Sequence, residues 1–228
     1  HKEGPMMVLA GPGSGKTTVI THRIQRLLEQ GVSPSGILVI TFTKAAAAEM
    51  KERFLKLADQ AGMDREIGRR VSFGTFHSVF YQILRLAYRF PPGNVIGEEE
   101  KRAYLKTLID GTELASEDQG ELISSLLNEI SYVKGERLDL DCYYSQNCPE
   151  EFFKKIYSGY EGMLREQGKL DFDDMLTMCW ELFCERKDIL SAWQRKYQYL
   201  LVDEFQDINR LLYEIVKLLA LPENNLFI

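Results

Sequence analysis

The stretch Ala10-Gly11-Pro12-Gly13-Ser14-Gly15-Lys16-Thr17-Thr18 lies between the apolar run Met6-Met7-Val8-Leu9 and residues 16–30, whose apolar positions recur at helical spacing up to Gly31. Strand, glycine-rich turn and helix are the context that a phosphate-binding loop requires, with Ala10 where the strict pattern has its first Gly. Gly11, Gly13 and Gly15 permit the backbone angles that curl successive N–H groups around an anion, and the helix behind them offers the positive end of its dipole. In such a loop Lys16 reaches the β- and γ-phosphates of ATP, and the Thr17 hydroxyl holds Mg²⁺. A plain glycine turn is the alternative; the flanking strand and helix favour the nucleotide.

Outward from the loop, Ile37-Leu38-Val39-Ile40-Thr41 reads as a second buried strand, residues 45–60 as an amphipathic helix, Val71-Ser72-Phe73 as a third strand and residues 76–90 as an apolar helix. Alternating strands and helices imply an α/β fold, a parallel sheet with helices on its faces. At Pro91-Pro92-Gly93 the rhythm changes. Up to about Gly168 only helical segments follow, near 98–109, 119–134 and 150–167, so residues 91–168 read as an all-helical inserted domain. The α/β pattern then resumes with a helix over 171–186, the strand Tyr199-Leu200-Leu201-Val202-Asp203, a helix over 210–220 and a strand-like Leu226-Phe227-Ile228.

Asp203-Glu204 places two carboxylates at the carboxyl end of a buried strand, the edge where α/β sheets bind ligands. Asp203 suits a Mg²⁺ site, and Glu204 suits orienting or deprotonating an attacking water. Phosphotransferases acting on small acceptors have no need of the second acid. A solvated strand end is the other reading.

Of the 228 residues 45% are hydrophobic and 27% charged, average for a globular protein, which excludes collagen, coiled coil and tail-like disorder. Uninterrupted apolar runs of four or five residues fall far short of the roughly 20 a membrane helix needs. The start, His1-Lys2-Glu3-Gly4-Pro5, has neither an initiator Met nor a signal-peptide pattern, so the numbering is expected to begin inside a longer chain. Cys142, Cys148, Cys179 and Cys184 are poorly spaced for zinc and are expected to be reduced thiols of a cytoplasmic protein. Net charge is −6, but residues 1–90 carry +6 and residues 91–228 carry −12, so a polyanion should prefer the first part.

Val202-Asp203-Glu204-Phe205-Gln206-Asp207, together with Gly11 to Thr18, resembles superfamily 1 DNA helicases of the UvrD/Rep/PcrA type. Thr41-Phe42-Thr43-Lys44-Ala45-Ala46-Ala47-Ala48-Glu49-Met50 resembles their motif Ia, though with Lys44 where Asn is commoner. Gly74-Thr75-Phe76-His77-Ser78 resembles motif Ib, and Asp171-Phe172-Asp173-Asp174-Met175 is similar to the element before motif II. The resemblance spans essentially the whole chain. It implies a RecA-like P-loop NTPase domain, 1A, over 1–90 and 169–228, interrupted by a helical domain, 1B, over 91–168.

The resemblance also implies roles. Gln206 would link the γ-phosphate to the DNA site and, with Glu204 and Lys16, serve catalysis; Arg23 would lie near the nucleotide base. Phe42, Thr43, Thr75, Phe76 and His77 would line a single-strand track, rings stacking on bases and short donors holding phosphates. Core packing is the alternative for Phe42 and Phe76, helix capping for His77. Ile130-Ser131-Tyr132-Val133-Lys134-Gly135 faintly resembles a 1B segment that approaches DNA, a solvated helix end being the alternative.

The whole enzyme would be an ATP-dependent helicase moving 3′ to 5′ on single-stranded DNA and unwinding duplex DNA in repair, replication or recombination, with DNA-repair proteins as possible partners. The adenine-reading Q motif, motif III and the second RecA-like half, which supplies an arginine finger, are not in this sequence, so alone it should hydrolyse ATP poorly. Open alternatives are a motor subunit of a helicase-nuclease, a P-loop phosphotransferase for a small acceptor, and a module binding nucleotide as a structural ligand.

Overall fold

The sheet is built on Ile37–Thr41, strand β1, in which every residue is buried. The computed structural model describes residues 3–11, 13–91, 93–110, 112 and 119–228. Beside β1 run β2 (Ser72–Thr75) and β3 (Tyr199–Val202), and β3 pairs in turn with β4 (Leu226–Phe227). The order is β2-β1-β3-β4 and all pairs are parallel, with Thr41 opposite Thr75, Ile37 opposite Tyr199 and Leu200 opposite Leu226. In chain order the helices are α1 (Lys16–Glu29), α2 (Lys44–Gln60), α3 (Arg65–Arg69), α4 (Phe76–Tyr88), α5 (Glu98–Ile109), α6 (Gly120–Glu136), α7 (Glu150–Glu166), α8 (Phe172–Glu185), α9 (Lys187–Lys196) and α10 (Arg210–Ala220).

Two compact units result, the first from His1–Gln82, Trp180–Ile208 and Leu212–Ile228 and the second from Ile83–Cys179 and Asn209–Leu211. In the first, Ile20, Ile24 and Leu27 of α1 and Met50, Phe54 and Ala58 of α2 pack on Ile37 and Val39 of β1 and on Tyr199 and Leu201 of β3. Helical spacings of three and four residues thus meet a two-residue strand period on one sheet face. The expected buried strand at residues 6–10 is different. It makes one bridge, Met6 to Phe227, with Val8 N donating to Ile228 O at 2.7 Å, and Met7 and Leu9 are 62% and 89% exposed. Paired on one side only, the segment lacks the second neighbour that would bury it.

In the second unit Tyr104, Leu105 and Ile109 of α5, Ile123, Leu126, Ile130 and Val133 of α6 and Phe153, Ile156, Tyr160 and Leu164 of α7 form a separate core. Leu170 N donates to Asn94 O at 2.7 Å and Ile96 N to Leu170 O at 2.9 Å, so the segments entering and leaving this helical region are pinned together. Glu129 is buried on α6 and accepts from Tyr143 Oη, Ser145 Oγ and Gln146 N at 3.0, 2.7 and 2.7 Å, stapling the following loop. Burial would raise its carboxyl, but these donors outweigh burial and hold it below the ordinary range.

Lys134 is neither a solvated helix end nor a surface cation. Its side chain is 5% exposed, and Nζ lies 2.5 Å from Glu161, 3.0 Å from Asp171 and 2.7 Å from Asp174. Tyr160 Oη donates to the same Asp171 oxygen at 3.0 Å. Asp171 and Asp174 also cap the start of α8 reciprocally, Asp174 N to Asp171 Oδ1 at 2.7 Å and Asp171 N to Asp174 Oδ2 at 3.0 Å.

Two glycines of α7 separate packing from propensity. A Cβ on Gly159 would meet Leu108 Cδ2 at 2.6 Å, whereas one on Gly162 would meet nothing within 4 Å. Gly162→Ala should therefore stabilise by about 0.5–1 kcal/mol in urea unfolding, the usual gain for Ala over Gly inside a helix. Gly159→Ala should gain less, because Leu108 must move; equal gains at both positions would contradict this account.

Candidate functional site

Gly13 and Gly15 have φ of 72° and 89°, the left-handed region that side chains disfavour, and Gly15 is the N-cap of α1. No side chain caps that helix and its first turn holds no acidic residue, so its free N–H groups and dipole are unopposed. The loop is braced from within: Ser14 Oγ donates to Gly11 O at 2.6 Å and Ser14 N to the same oxygen at 3.2 Å. Pro12, expected in the ATP loop, lies outside the described residues. Ala10 and Thr17 are half-buried, and Thr18 is exposed.

Across from the loop, β3 ends at Val202 and Asp203 N donates to Ile40 O at 2.9 Å, holding the next residues at the carboxyl edge of the sheet. Glu204 then takes φ 53°, a left-handed angle uncommon for a residue with a side chain. Its Oε2 accepts from Lys16 Nζ at 2.7 Å and from Gln206 Nε2 at 2.6 Å. The Lys16 bond, and after it the Gln206 bond, hold the Glu204 carboxyl below the usual range, while the same bond to Glu204 raises Lys16. Asp203 is shifted the other way, by its burial and then by the Glu204 charge. Half-buried beside a like charge, its oxygen gains from a hard cation such as Mg²⁺; Thr17 is not among the residues lining the cleft that holds Asp203.

Lys16, Asp203, Glu204 and Gln206 line one cleft of about 310 Å³, whose other wall is apolar: Met7, Val8, Leu9, Val19, Ile20, Phe205, Phe227 and Ile228. Arg23 is not among its lining residues; its guanidinium stands 5.8 Å from the Phe227 ring centre, beside Tyr199 and Asn225.

The remaining candidates lie past the carboxyl ends of β1 and β2. Phe42 is half-buried and meets Phe76 edge-on at 5.2 Å, but Phe76 is 1% exposed and leaves no ring face for a base. Thr43 is exposed and caps α2 by accepting from Ala46 N at 3.1 Å. Thr75 is buried and exchanges capping bonds with Ser78 at 2.9 and 3.2 Å, and a Cβ on Gly74 would crowd Ser78 Oγ at 3.0 Å. His77, half-buried, follows at the first turn of α4. A second cleft of about 340 Å³ is lined by Lys44, Ala47, Ala48, Lys51, Phe73, Gly74, Thr75 and Ser78. Lys51 escaped the sequence reading; its seven-residue offset from Lys44, which sets both on one helix face, was the available signal.

Residues 1–228 match the profile of the UvrD/REP helicase N-terminal domain. The chain is 39% identical to YjcD of Bacillus subtilis (strain 168), covering 98% of the chain and 29% of that protein. It is 37% identical to the ATP-dependent DNA helicase PcrA of Staphylococcus aureus and 35% identical to that of Leuconostoc citreum, in both cases over 98% of the chain and 30% of the relative. The chain thus spans less than a third of the length of the curated relatives it matches.

Proposed function

The chain belongs to the UvrD/REP helicase N-terminal domain family, and on that premise we propose that it is the ATP-binding part of an ATP-dependent DNA helicase that moves 3′ to 5′ on single-stranded DNA and unwinds duplexes. The observation that carries this reading is the convergence of Lys16 and Gln206 on one oxygen of Glu204, in a cleft that also holds Asp203. In our reading residues 1–90 and 169–228 form domain 1A and residues 91–168 domain 1B, and a second RecA-like half of the same protein closes over the cleft. Repair, replication or recombination in the cytoplasm, beside DNA-repair proteins, is the setting such an activity fits.

The nucleotide triphosphate lies on the Gly11–Thr18 loop, where Lys16 leaves Glu204 for the β- and γ-phosphates. Thr17 and Asp203 hold Mg²⁺, which when bound neutralises phosphate charge. Glu204, freed of Lys16, takes a proton from the in-line water as its oxygen bonds to the γ-phosphorus and the bond to the β,γ-bridging oxygen breaks, giving ADP and phosphate. Single-stranded DNA passes the edge formed by Phe42, Thr43 and His77, with Thr75 and Phe76 supporting them from the core and Lys44 and Lys51 facing phosphates.

The test is ATP hydrolysis by the full-length protein with and without single-stranded DNA, beside Lys16→Ala. Strong stimulation that disappears in the variant is the expected result. Hydrolysis indifferent to DNA would sink the helicase reading and turn attention to another phosphate acceptor.

A further inference from the structure

The turn that follows Glu204 contains a second carboxylate with a geometric relation to the cleft. Gln206 Nε2 lies 2.6 Å from Glu204 Oε2 and 3.1 Å from Asp207 Oδ2. A carboxamide has two N–H donors and one carbonyl. With an acid on each side of its nitrogen, both donors are engaged. The opposite flip would set the carbonyl oxygen against two carboxylates, so the pair of acids decides the orientation chemically. Asp207 is itself tied in place, its N–H donating to Glu204 O at 3.0 Å across the 3-10 turn Phe205–Asp207. Without Asp207 the Gln206 amide would hang on a single bond, to the oxygen that Lys16 also occupies.

We propose that Asp207 is a positioning residue that holds the Gln206 amide so that Nε2 stays on Glu204 and the carbonyl Oε1 is presented to the attacking water. The inference rests on the hydrolytic reading above. It assigns the two protons of that water: one moves to the Glu204 carboxylate as the bond to the γ-phosphorus forms, and the other is held in a hydrogen bond to Gln206 Oε1 until the phosphate product leaves. The nitrogen side of Gln206 meanwhile stays on Glu204 Oε2, as its 2.6 Å bond shows.

The experiment measures kcat and KM for ATP in the full-length protein at saturating single-stranded DNA, for Asp207→Ala, Asp207→Asn, Gln206→Ala and the Asp207→Ala/Gln206→Ala pair. Asp207→Ala should lower kcat roughly tenfold with KM within about twofold, the pattern of lost orientation at the reacting centre. Asp207→Asn, which keeps an acceptor oxygen, should remain within about threefold of the parent, and Asp207→Ala should add nothing to Gln206→Ala.

Additive losses in the pair, or an Asn variant as poor as the Ala variant, would overturn the proposal, the second by showing that the charge and not the acceptor matters. A raised KM with unchanged kcat would do so as well, placing Asp207 in binding. A parent enzyme whose hydrolysis ignores DNA overturns the helicase reading separately, and the same four variants still judge Asp207. A parent that does not hydrolyse ATP overturns both.

Discussion

Glu204→Gln in the full-length protein is expected to bind ATP as well as the parent or better and to hydrolyse it about 10²- to 10⁴-fold more slowly, the usual loss when a positioned general base is removed. That is about 3–5 kcal/mol of barrier at 1.4 kcal/mol per factor of ten. Binding survives because the substitution keeps the length of the side chain and an acceptor oxygen, while the ionic hold of Glu204 on Lys16 at 2.7 Å is removed. In the nucleotide-free protein that ion pair competes with phosphate for the lysine, so weakening it favours the nucleotide. The carboxyl is held below the ordinary range by Lys16 and then by Gln206, so the parent keeps its base ionised at neutral pH and on the alkaline side of its acid limb. Single-turnover hydrolysis and equilibrium nucleotide binding separate the two effects. A rate within about threefold of the parent would remove Glu204 from proton transfer, and a large loss of affinity would make it a binding residue.

The parts of this arrangement that were readable in the sequence are those in which one local period decides the outcome. The all-apolar Ile37–Ile40 could only be buried, and Ile20, Ile24 and Leu27 or Met50, Phe54 and Ala58 could form a stripe only on a helix. The loop and the carboxylates 187 residues later could be placed on one sheet edge because parallel strands deliver their carboxyl ends together. What escaped depended on neighbours. Helix α9 carries few apolar residues, with Leu190 and Trp193 buried, too short a pattern to announce itself. Helix α3 is five residues set by the Asp64 cap, a local bond and not a period. Phe42 read as a residue just past a strand and Phe76 as one at a helix start, both with core packing as the alternative, and only the depth of packing separates them: Phe76 is 1% exposed, Phe42 half-buried. Asp207 stood in plain sight beside Gln206, but that its carboxylate faces the amide is a property of the turn.

Lys134 is the residue that sequence reading placed furthest from its surroundings, and its removal should be the most destabilising single change in the helical unit. Lys134→Ala is expected to cost about 3–5 kcal/mol in urea unfolding, the range for removing one partner of a buried ion pair. The cost arises less from lost attraction than from what is left behind, since Asp171, Asp174 and Glu161 would lose the cation they share and only Lys101, acting on Asp171, would remain. In the parent, burial alone would lower the lysine pKa, but those three carboxylates outweigh it and raise it above the usual range. Asp171, despite its burial, is held low mainly by Lys134. Asp174, pushed up by burial and opposed by Lys134, sits at about 6. Taking the lysine away removes what lowers Asp171 and Asp174, so the folded-state pKa of both rises while the unfolded values stay unchanged. A folded pKa above the unfolded one means that the folded state binds protons more tightly, so stability is lost as pH rises through that interval. The deficit of Lys134→Ala relative to the parent should thus be smaller near pH 4, where Asp171 and Asp174 of the variant carry protons, and should grow to its full size by about pH 8. Asp174→Asn added to Lys134→Ala should recover part of it, since one of the stranded charges is gone. Denaturation of the three variants at both pH values checks this, and a deficit independent of pH, or below about 1 kcal/mol throughout, would mean that water reaches these carboxylates and that Lys134 is not what neutralises them.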